Sequence, residues 1–299
     1  MTLRAGGEAA LRPDAAGLAL LLATTIGWGL NWPAMKLLLA ELPVLSTRSA
    51  AGALGLLVLL AVARLRGESL AVPLGLWPRL ILASLLNVTA WMGLASFSLL
   101  WLAAAEATIV CYTMPVWASL MAWAILGERP GAARVAGLIL ALAGLALLVL
   151  GRGVAVGLEK LPGVAFGLAS AILFSLGTVL SKRWPLGLPP TSGAAWQVGL
   201  GIAPLGIAAA MFDPMRFGTL SAGGWALIAY GGVFALGLCY LSWFAALRRL
   251  PASLASLGTL ITPMVGVASA AIVLGEPFGW REATALLLTL AGIALAVRR

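Results

Sequence analysis

A chain of 299 residues that is 62% hydrophobic and 10% charged, with no histidine and a mean hydropathy of +1.06, cannot bury its apolar surface around a soluble core. Its formal charge of +9 forms no basic face interleaved with aromatics, so nucleic acid is excluded as a partner and a lipid bilayer is implied. The two cysteines, Cys111 and Cys239, lie alone inside apolar segments, which leaves no disulfide framework, no metal ligand set and no cofactor to expect.

Crossing the hydrocarbon layer takes roughly 20 apolar residues. After a short arm at 1–14, the chain offers ten such segments: 15–38, 44–65, 79–100, 103–126, 132–150, 162–180, 191–212, 223–247, 252–274 and 281–297. The first is read as a retained span, because it is too long for a signal peptide and lacks a small-residue cleavage site. The third and fourth are divided at Trp101 and Leu102, since the run they form is twice what one crossing uses. Thirteen of the nineteen lysines and arginines fall on the side of the N-terminus; the six on the other side are Lys36, Arg48, Arg152, Lys160, Arg216 and Arg281. That bias places both termini in the cytoplasm.

In the first span Trp28, Asn31, Trp32 and Met35 share a helical face. An amide at membrane depth needs a partner, so Asn31 meets either another helix or a substrate; Trp32, near the outer end, is read as an interface anchor. In the third span Ser84, Asn87, Trp91 and Ser98 form a polar and aromatic stripe that suits a cavity wall better than lipid. The fourth and ninth spans each carry a central proline, Pro115 and Pro263, expected to act as hinges that release the carbonyls of Cys111 and Thr259. Tyr112 and Thr259 are placed to present polar atoms there, either to a solute or to the kink itself. The sixth span offers Ser170, Phe174, Thr178 and Ser181 at helical spacing, and the eighth Tyr230, Phe234 and Tyr240. No Asp, Glu, Lys or Arg stands at the middle of a span, where a charge costs roughly 2.5 to 3.5 kcal/mol on insertion scales; Glu106, about a turn into the fourth, comes nearest. Ionic cargo thus lacks a counter-ion.

The stretch LGERPGAARVAGLILALAGLALLV at 126–149 returns as LGEPFGWREATALLLTLAGIALAV at 274–297, displaced by 148 residues and identical at 12 of 24 positions. Pro115 and Pro263 keep the same displacement, so the chain consists of two homologous halves, 15–150 and 151–299. Five spans per half is an odd number, which makes the repeats inverted. The expected fold class is an all-α integral membrane protein of ten transmembrane helices in two inverted five-helix repeats. Ala133, Gly137, Ala141 and Gly144, echoed by Ala291 and Gly292, should let the fifth and tenth spans pack closely as scaffold. Glu128 and Glu276 are expected to cap the helices that follow them, with a proton-carrying role as the competing reading.

The tandem halves, the WGLNWPAMK run at 28–36, the proline-centred spans, and the LGE and AGLAL or AGIAL motifs resemble the drug/metabolite transporter superfamily, specifically its EamA-type members. The resemblance covers 15–297. It implies a transporter of a bacterial-type inner membrane and export as the direction, since similar proteins include bacterial exporters of amino acids, aromatic ones among them. No nucleophile with a base, metal cluster or phosphate-binding loop suggests an enzyme. The residues themselves suggest alternating access for a small neutral or zwitterionic solute, at a site of Trp28, Asn31, Asn87, Trp91, Tyr112, Thr178 and Thr259. A uniport-type facilitator, a channel and a multidrug exporter stand as alternatives.

Overall fold

The structure, a computed structural model, describes residues 14–127, 132–150, 154–213, 217–250, 258–259 and 261–297, and every regular element among them is helical. In chain order these are α1 (Ala15–Leu38), α2 (Val44–Leu65), α3 (Trp77–Ser84), a π-helical segment (Leu85–Ala90), α4 (Trp91–Ser98), α5 (Ala104–Cys111), α6 (Met114–Leu126), α7 (Ala132–Leu150), α8 (Val154–Arg183) and α9 (Pro190–Phe212). There follow α10 (Ala222–Ala229), a second π segment (Tyr230–Leu238), α11 (Cys239–Leu247), α12 (Ile261–Leu274) and α13 (Trp280–Val297). Among the described residues, seven helical runs are long and apolar enough to cross a membrane. Ile139, Ile207, Ile272 and Leu287 are each at least 63% exposed, an apolar exterior that lipid can wet and water cannot.

The repeat is written into the geometry. Displaced by 148 residues, the first π segment falls on 233–238, inside the second. Gly127 and Gly275, the repeated glycines of the LGE motifs, have φ of +74° and +64°, a conformation that terminates both preceding helices and that a side chain rarely adopts. Contacts between α7 and α13 are reciprocal. A methyl group on Gly144 would stand 2.8 Å from the Ala285 carbonyl oxygen, and one on Gly292 would stand 2.5 Å from that of Gly137. Since 285 and 292 are the repeat equivalents of 137 and 144, one twofold relation generates both contacts. The low-numbered part of each helix meets the high-numbered part of the other, so the pair is antiparallel and the axis lies across the helices, in the membrane plane. The halves are inverted repeats, and these two helices pack through small residues as the sequence suggests.

Helices α2 and α9 form a second reciprocal pair. Gly55 of α2 lies against Leu236 and the Gly232 carbonyl, while Gly201 of α9 lies against Val88 and the Ser84 carbonyl, the repeat equivalents of Leu236 and Gly232. Each π segment therefore packs on a helix of the opposite half. A buried cluster including Trp32, Ile109, Val110, Val267 and Ala285 likewise draws on both halves.

At the membrane ends, carboxylates cross over to satisfy the orphan N–H groups of helix N-termini. Glu68, after α2, accepts from Thr191 Oγ1 and Ser192 N of α9, both at 2.8 Å; Asp213, after α9, accepts from Ser46 N of α2 at 2.9 Å. Glu41 accepts from the N–H and hydroxyl of Ser221, the N-cap of α10, both at 2.8 Å. Glu276 departs from expectation. It does not cap the following helix but accepts from Ala104 N at 2.7 Å and Ala105 N at 3.0 Å, at the start of α5. The start of α13 is served instead by Glu282, which accepts from Gly279 N at 2.9 Å. Glu128 lies outside the described residues.

Candidate functional site

A cavity of about 450 Å³ opens between α8, α9 and the first π segment, with its mouth at the 185–190 turn. Pro185, Pro189 and Pro190 keep that turn extended and stop the helices on either side of it. Asn87, at the centre of the π segment, is the wall's main polar group. Its Nδ2 donates to Gln197 Oε1 at 3.2 Å and to Ser181 Oγ at 3.4 Å. Its Oδ1 is buried against Gly177, whose missing side chain leaves it room, and has no hydrogen-bond donor among the described residues. From this segment, whose i→i+5 bonding widens the turn, Asn87 reaches both α8 and α9. Phe174, Thr178, Ser181 and Tyr240 complete the part of the lining that matters chemically. Thr178 returns its hydroxyl to the Phe174 carbonyl at 2.9 Å, so it offers a solute only its lone pairs and methyl.

Below the cavity lies an aromatic layer. Phe174 packs on Trp91 with centroids 5.0 Å apart, Trp91 meets Tyr112 edge-on at 6.3 Å, and Tyr112 meets Trp32 at 6.3 Å. Tyr112 stands at the break between α5 and α6, where Thr113 Oγ1 donates to the Val110 carbonyl at 2.7 Å and satisfies the interruption. Trp32 is therefore not an interface anchor: at 7% exposure it is core, on the same layer as Tyr112. Trp101, half-exposed and stacked on Phe166 at 5.5 Å, has the position expected of a membrane-belt residue.

Beyond this layer, polar contacts tie helices together at the opposite end of the bundle. Lys36 donates to the carbonyls of Leu99 and, at 2.9 Å, Leu102; Lys160 grips both oxygens of the buried Glu106 at 2.6 Å; and Glu276 holds α5. Glu106 also accepts from Ala103 N at 3.1 Å. It is an ion-paired cap, so its carboxylate is committed to structure.

Two of the seven site residues named from sequence, Asn87 and Thr178, line the cavity; Trp91 and Tyr112 do not, Trp91 touching the lining residue Phe174 and Tyr112 touching Trp91. Trp28 stands one layer behind, its ring 5.5 Å from that of Tyr240 and its Nε1 donating to the Ala235 carbonyl in the second π segment at 2.9 Å. Asn31 is half-buried with its oxygen toward Gly231, and Thr259 accepts from Thr262 N at 3.1 Å. Neither is among the cavity residues. The carbonyl of Thr259 is thus engaged, not released. Pro115 and Pro263 occupy the first turns of α6 and α12, where a missing N–H costs nothing. The stripe expected along the third span is interrupted, because Ser84 and Ser98 turn their hydroxyls onto the Leu80 and Ala95 carbonyls of their own helices, both at 2.7 Å. Gln197 was missed. It is the chain's only glutamine, set seven residues into an apolar run, and by the argument applied to Asn31 it should have been named.

The site can hold a solute of mixed character, with amide and hydroxyl groups on one wall and rings on another. Among the described residues no cluster of acidic, cysteine or histidine side chains could hold a metal ion. Both halves, 15–150 and 161–298, match the EamA-like transporter family. The chain is 30% identical to the uncharacterized transporter YvbV of Bacillus subtilis over 93% of this chain and 90% of the relative. It is 24% identical to YoaV of the same organism, also named an uncharacterized transporter, over 88% and 87%. A solved crystal structure superposes with a TM-score of 0.66 at 24% identity, covering 92% of this chain and 96% of the other, which shows the fold. This multi-pass membrane protein is a transporter and not an enzyme, and it belongs to the EamA-like transporter family.

Proposed function

We propose that the protein exports small neutral or zwitterionic metabolites, amino acids in the first place, by alternating access. The observation that carries this reading is the cavity between α8, α9 and the first π segment, with amide and hydroxyl groups and aromatic rings in its lining. Its volume of about 450 Å³ falls within the usual 300 to 1,000 Å³ of small-molecule sites. An amide network of Asn87 and Gln197 offers directed hydrogen bonds, while Phe174, Tyr240 and the Trp91 layer offer ring surface. Aromatic pairs gain roughly 0.5 to 1.5 kcal/mol beyond area burial, which favours an aromatic side chain on the cargo. Inverted halves related by an in-plane twofold supply two exchangeable arrangements, one for each side of the membrane.

In this reading the chain makes ten passes through a bacterial-type inner membrane with both termini in the cytoplasm, and each half, 15–150 and 151–299, is one repeat. The mouth at 185–190 then faces the cytoplasm, supported by the positive-inside bias, and cargo loads from there. Trp28, Asn31 and Thr259 belong to surfaces that approach the path as the halves move, with Pro115 and Pro263 at the pivots. The test is saturable uptake of labelled amino acids, sugars and nucleosides into proteoliposomes, repeated with Asn87→Ala and Trp91→Ala. Saturable amino-acid flux that falls in both variants is expected. Non-saturating flux would mean a channel, and wild-type rates in both variants would remove this cavity from the path.

A further inference from the structure

None of the residues lining the cavity is an aspartate, glutamate, lysine or arginine, so its discrimination between solutes rests on hydrogen-bond polarity. That polarity runs through a chain of three side chains. Ser181 Oγ donates its proton to the Gly177 carbonyl at 2.7 Å, which leaves it only as an acceptor for Asn87 Nδ2 at 3.4 Å. The Asn87 amide nitrogen is thereby directed at Ser181, and it donates as well to Gln197 Oε1 of α9 at 3.2 Å. The Asn87 oxygen occupies the place a Gly177 side chain would take, against the Cα–H. That neighbour suits a carbonyl oxygen and would leave an N–H group without an acceptor.

The chain of bonds ends on Gln197, which lines the cavity. Because its Oε1 accepts from Asn87, turning its carboxamide over would set two amide nitrogens against each other, so Nε2 stays directed away from Asn87. That nitrogen has no acceptor among the described residues and, unlike Asn87 Oδ1, it is not closed off from open space. Two unmet N–H donors are therefore offered to the cavity. Thr178, a lining hydroxyl on α8, is the opposite case: its proton already goes to the Phe174 carbonyl at 2.9 Å, and only its lone pairs are left. A hydroxyl with one bond made tolerates an apolar neighbour, whereas an amide nitrogen with none is costly once a solute displaces its water.

We propose that Gln197 sets the specificity of the cavity: its Nε2, held outward by Asn87, meets an acceptor oxygen of the solute, a carbonyl or a carboxylate, and disfavours solutes whose only polar group is a donor. The inference rests on the reading of this cavity as the solute site and narrows its substrate class to solutes with such an oxygen. For an amino acid it also gives an orientation, with the carboxylate toward Gln197 on α9 and the ammonium toward the lone pairs of Thr178 on α8. Asn87 is a positioning residue in this scheme, since it fixes which end of the Gln197 amide the solute meets.

The experiment uses two uncharged aromatic probes: acetophenone, an acceptor without a donor, and indole, a donor without an acceptor. Their affinities are read from the concentration dependence of the unfolding midpoint of the protein in nanodiscs, beside uptake of labelled phenylalanine into proteoliposomes. Wild type should hold acetophenone about 10-fold tighter than indole. Gln197→Leu should bring the two within about threefold, by losing acetophenone and not by gaining indole. Asn87→Asp supplies an acceptor where Nδ2 stood, so Gln197 turns its N–H groups to the carboxylate and its carbonyl to the cavity, and the preference should reverse. A merely structural Asn87 would instead weaken both probes alike, and that result in a folded Asn87→Asp overturns its positioning role. Equal affinities in wild type, or no binding of either probe, overturn the inference without depending on any variant; saturable phenylalanine uptake in the same protein leaves the transport reading standing. An acetophenone preference that requires Gln197, without transport of any amino acid, sinks the transport reading and keeps the donor site. A preference retained in folded Gln197→Leu assigns it to other residues and overturns the inference.

Discussion

Glu276→Gln should loosen the start of α5 without unfolding the bundle. The carboxylate accepts Ala104 N at 2.7 Å and Ala105 N at 3.0 Å, at the positive end of α5. Glutamine keeps one carbonyl acceptor but loses the charge, and its amide points donors at donors. Charge-assisted bonds at a helix start exceed neutral ones by about 1 kcal/mol each, so the contact weakens by about 2 kcal/mol. At 1.36 kcal/mol per decade that is about a 30-fold rise in local opening. Hydrogen exchange read by mass spectrometry on the peptide covering 103–111 measures it directly, since exchange follows the opening equilibrium when closing is fast. The first turn of α2, capped by Asp213, is the internal reference and should not change. Acceleration below threefold at 104–105 would refute the latch, and equal acceleration in α2 would show general destabilisation instead.

Gly292→Ala places a methyl group 2.5 Å from the Gly137 carbonyl and 2.7 Å from Ala141 N, backbone atoms that cannot rotate away. Overpacking of this kind costs about 1 to 3 kcal/mol, against a helix-propensity gain of up to about 1 kcal/mol, so the unfolding midpoint in detergent should fall; a rise contradicts the close seam. Lys160→Met strands the Glu106 carboxylate, 4% exposed, and should cost about 3 kcal/mol, most of it recovered in the double variant with Glu106→Gln; additive losses in a double-mutant cycle would show that the pair is not coupled. The Glu41 carboxyl is held below its ordinary value by the backbone N–H and then the hydroxyl of Ser221. A depressed folded-state pKa means that this tether is fully present above the ordinary glutamate value and is lost as pH falls through the depressed one. Exchange of the α10 first-turn amides should therefore accelerate at acid pH in wild type, beyond the intrinsic pH trend, and be insensitive to that titration in Glu41→Gln.

Composition alone specified a bilayer protein, the LGE repeat specified two homologous halves, and the odd number of spans read in each half implied their inversion, because hydrophobic length and glycine position are properties of the local chain. Gly127 and Gly275 have to be glycine for the backbone to turn with positive φ, and Gly144 and Gly292 for two helices to touch, so both pairs stood out before any fold was known. The partners of polar side chains were a different matter. Asn87 was legible as a costly amide, but its partner Gln197 lies 110 residues away on another helix, which helical periodicity does not foresee. Ser84 and Ser98, of equal promise on a helical wheel, satisfy themselves on their own backbone. Glu276 follows α12 in sequence and caps α5 in space, 171 to 172 residues away. Arg48 counts as an end charge by position, yet from α2 its Nε donates to Ser96 Oγ of α4. Spacing along a chain fixes which residues share a helix face; only the packing of one half against the other decides what that face meets, and hence which polar groups are left for a solute.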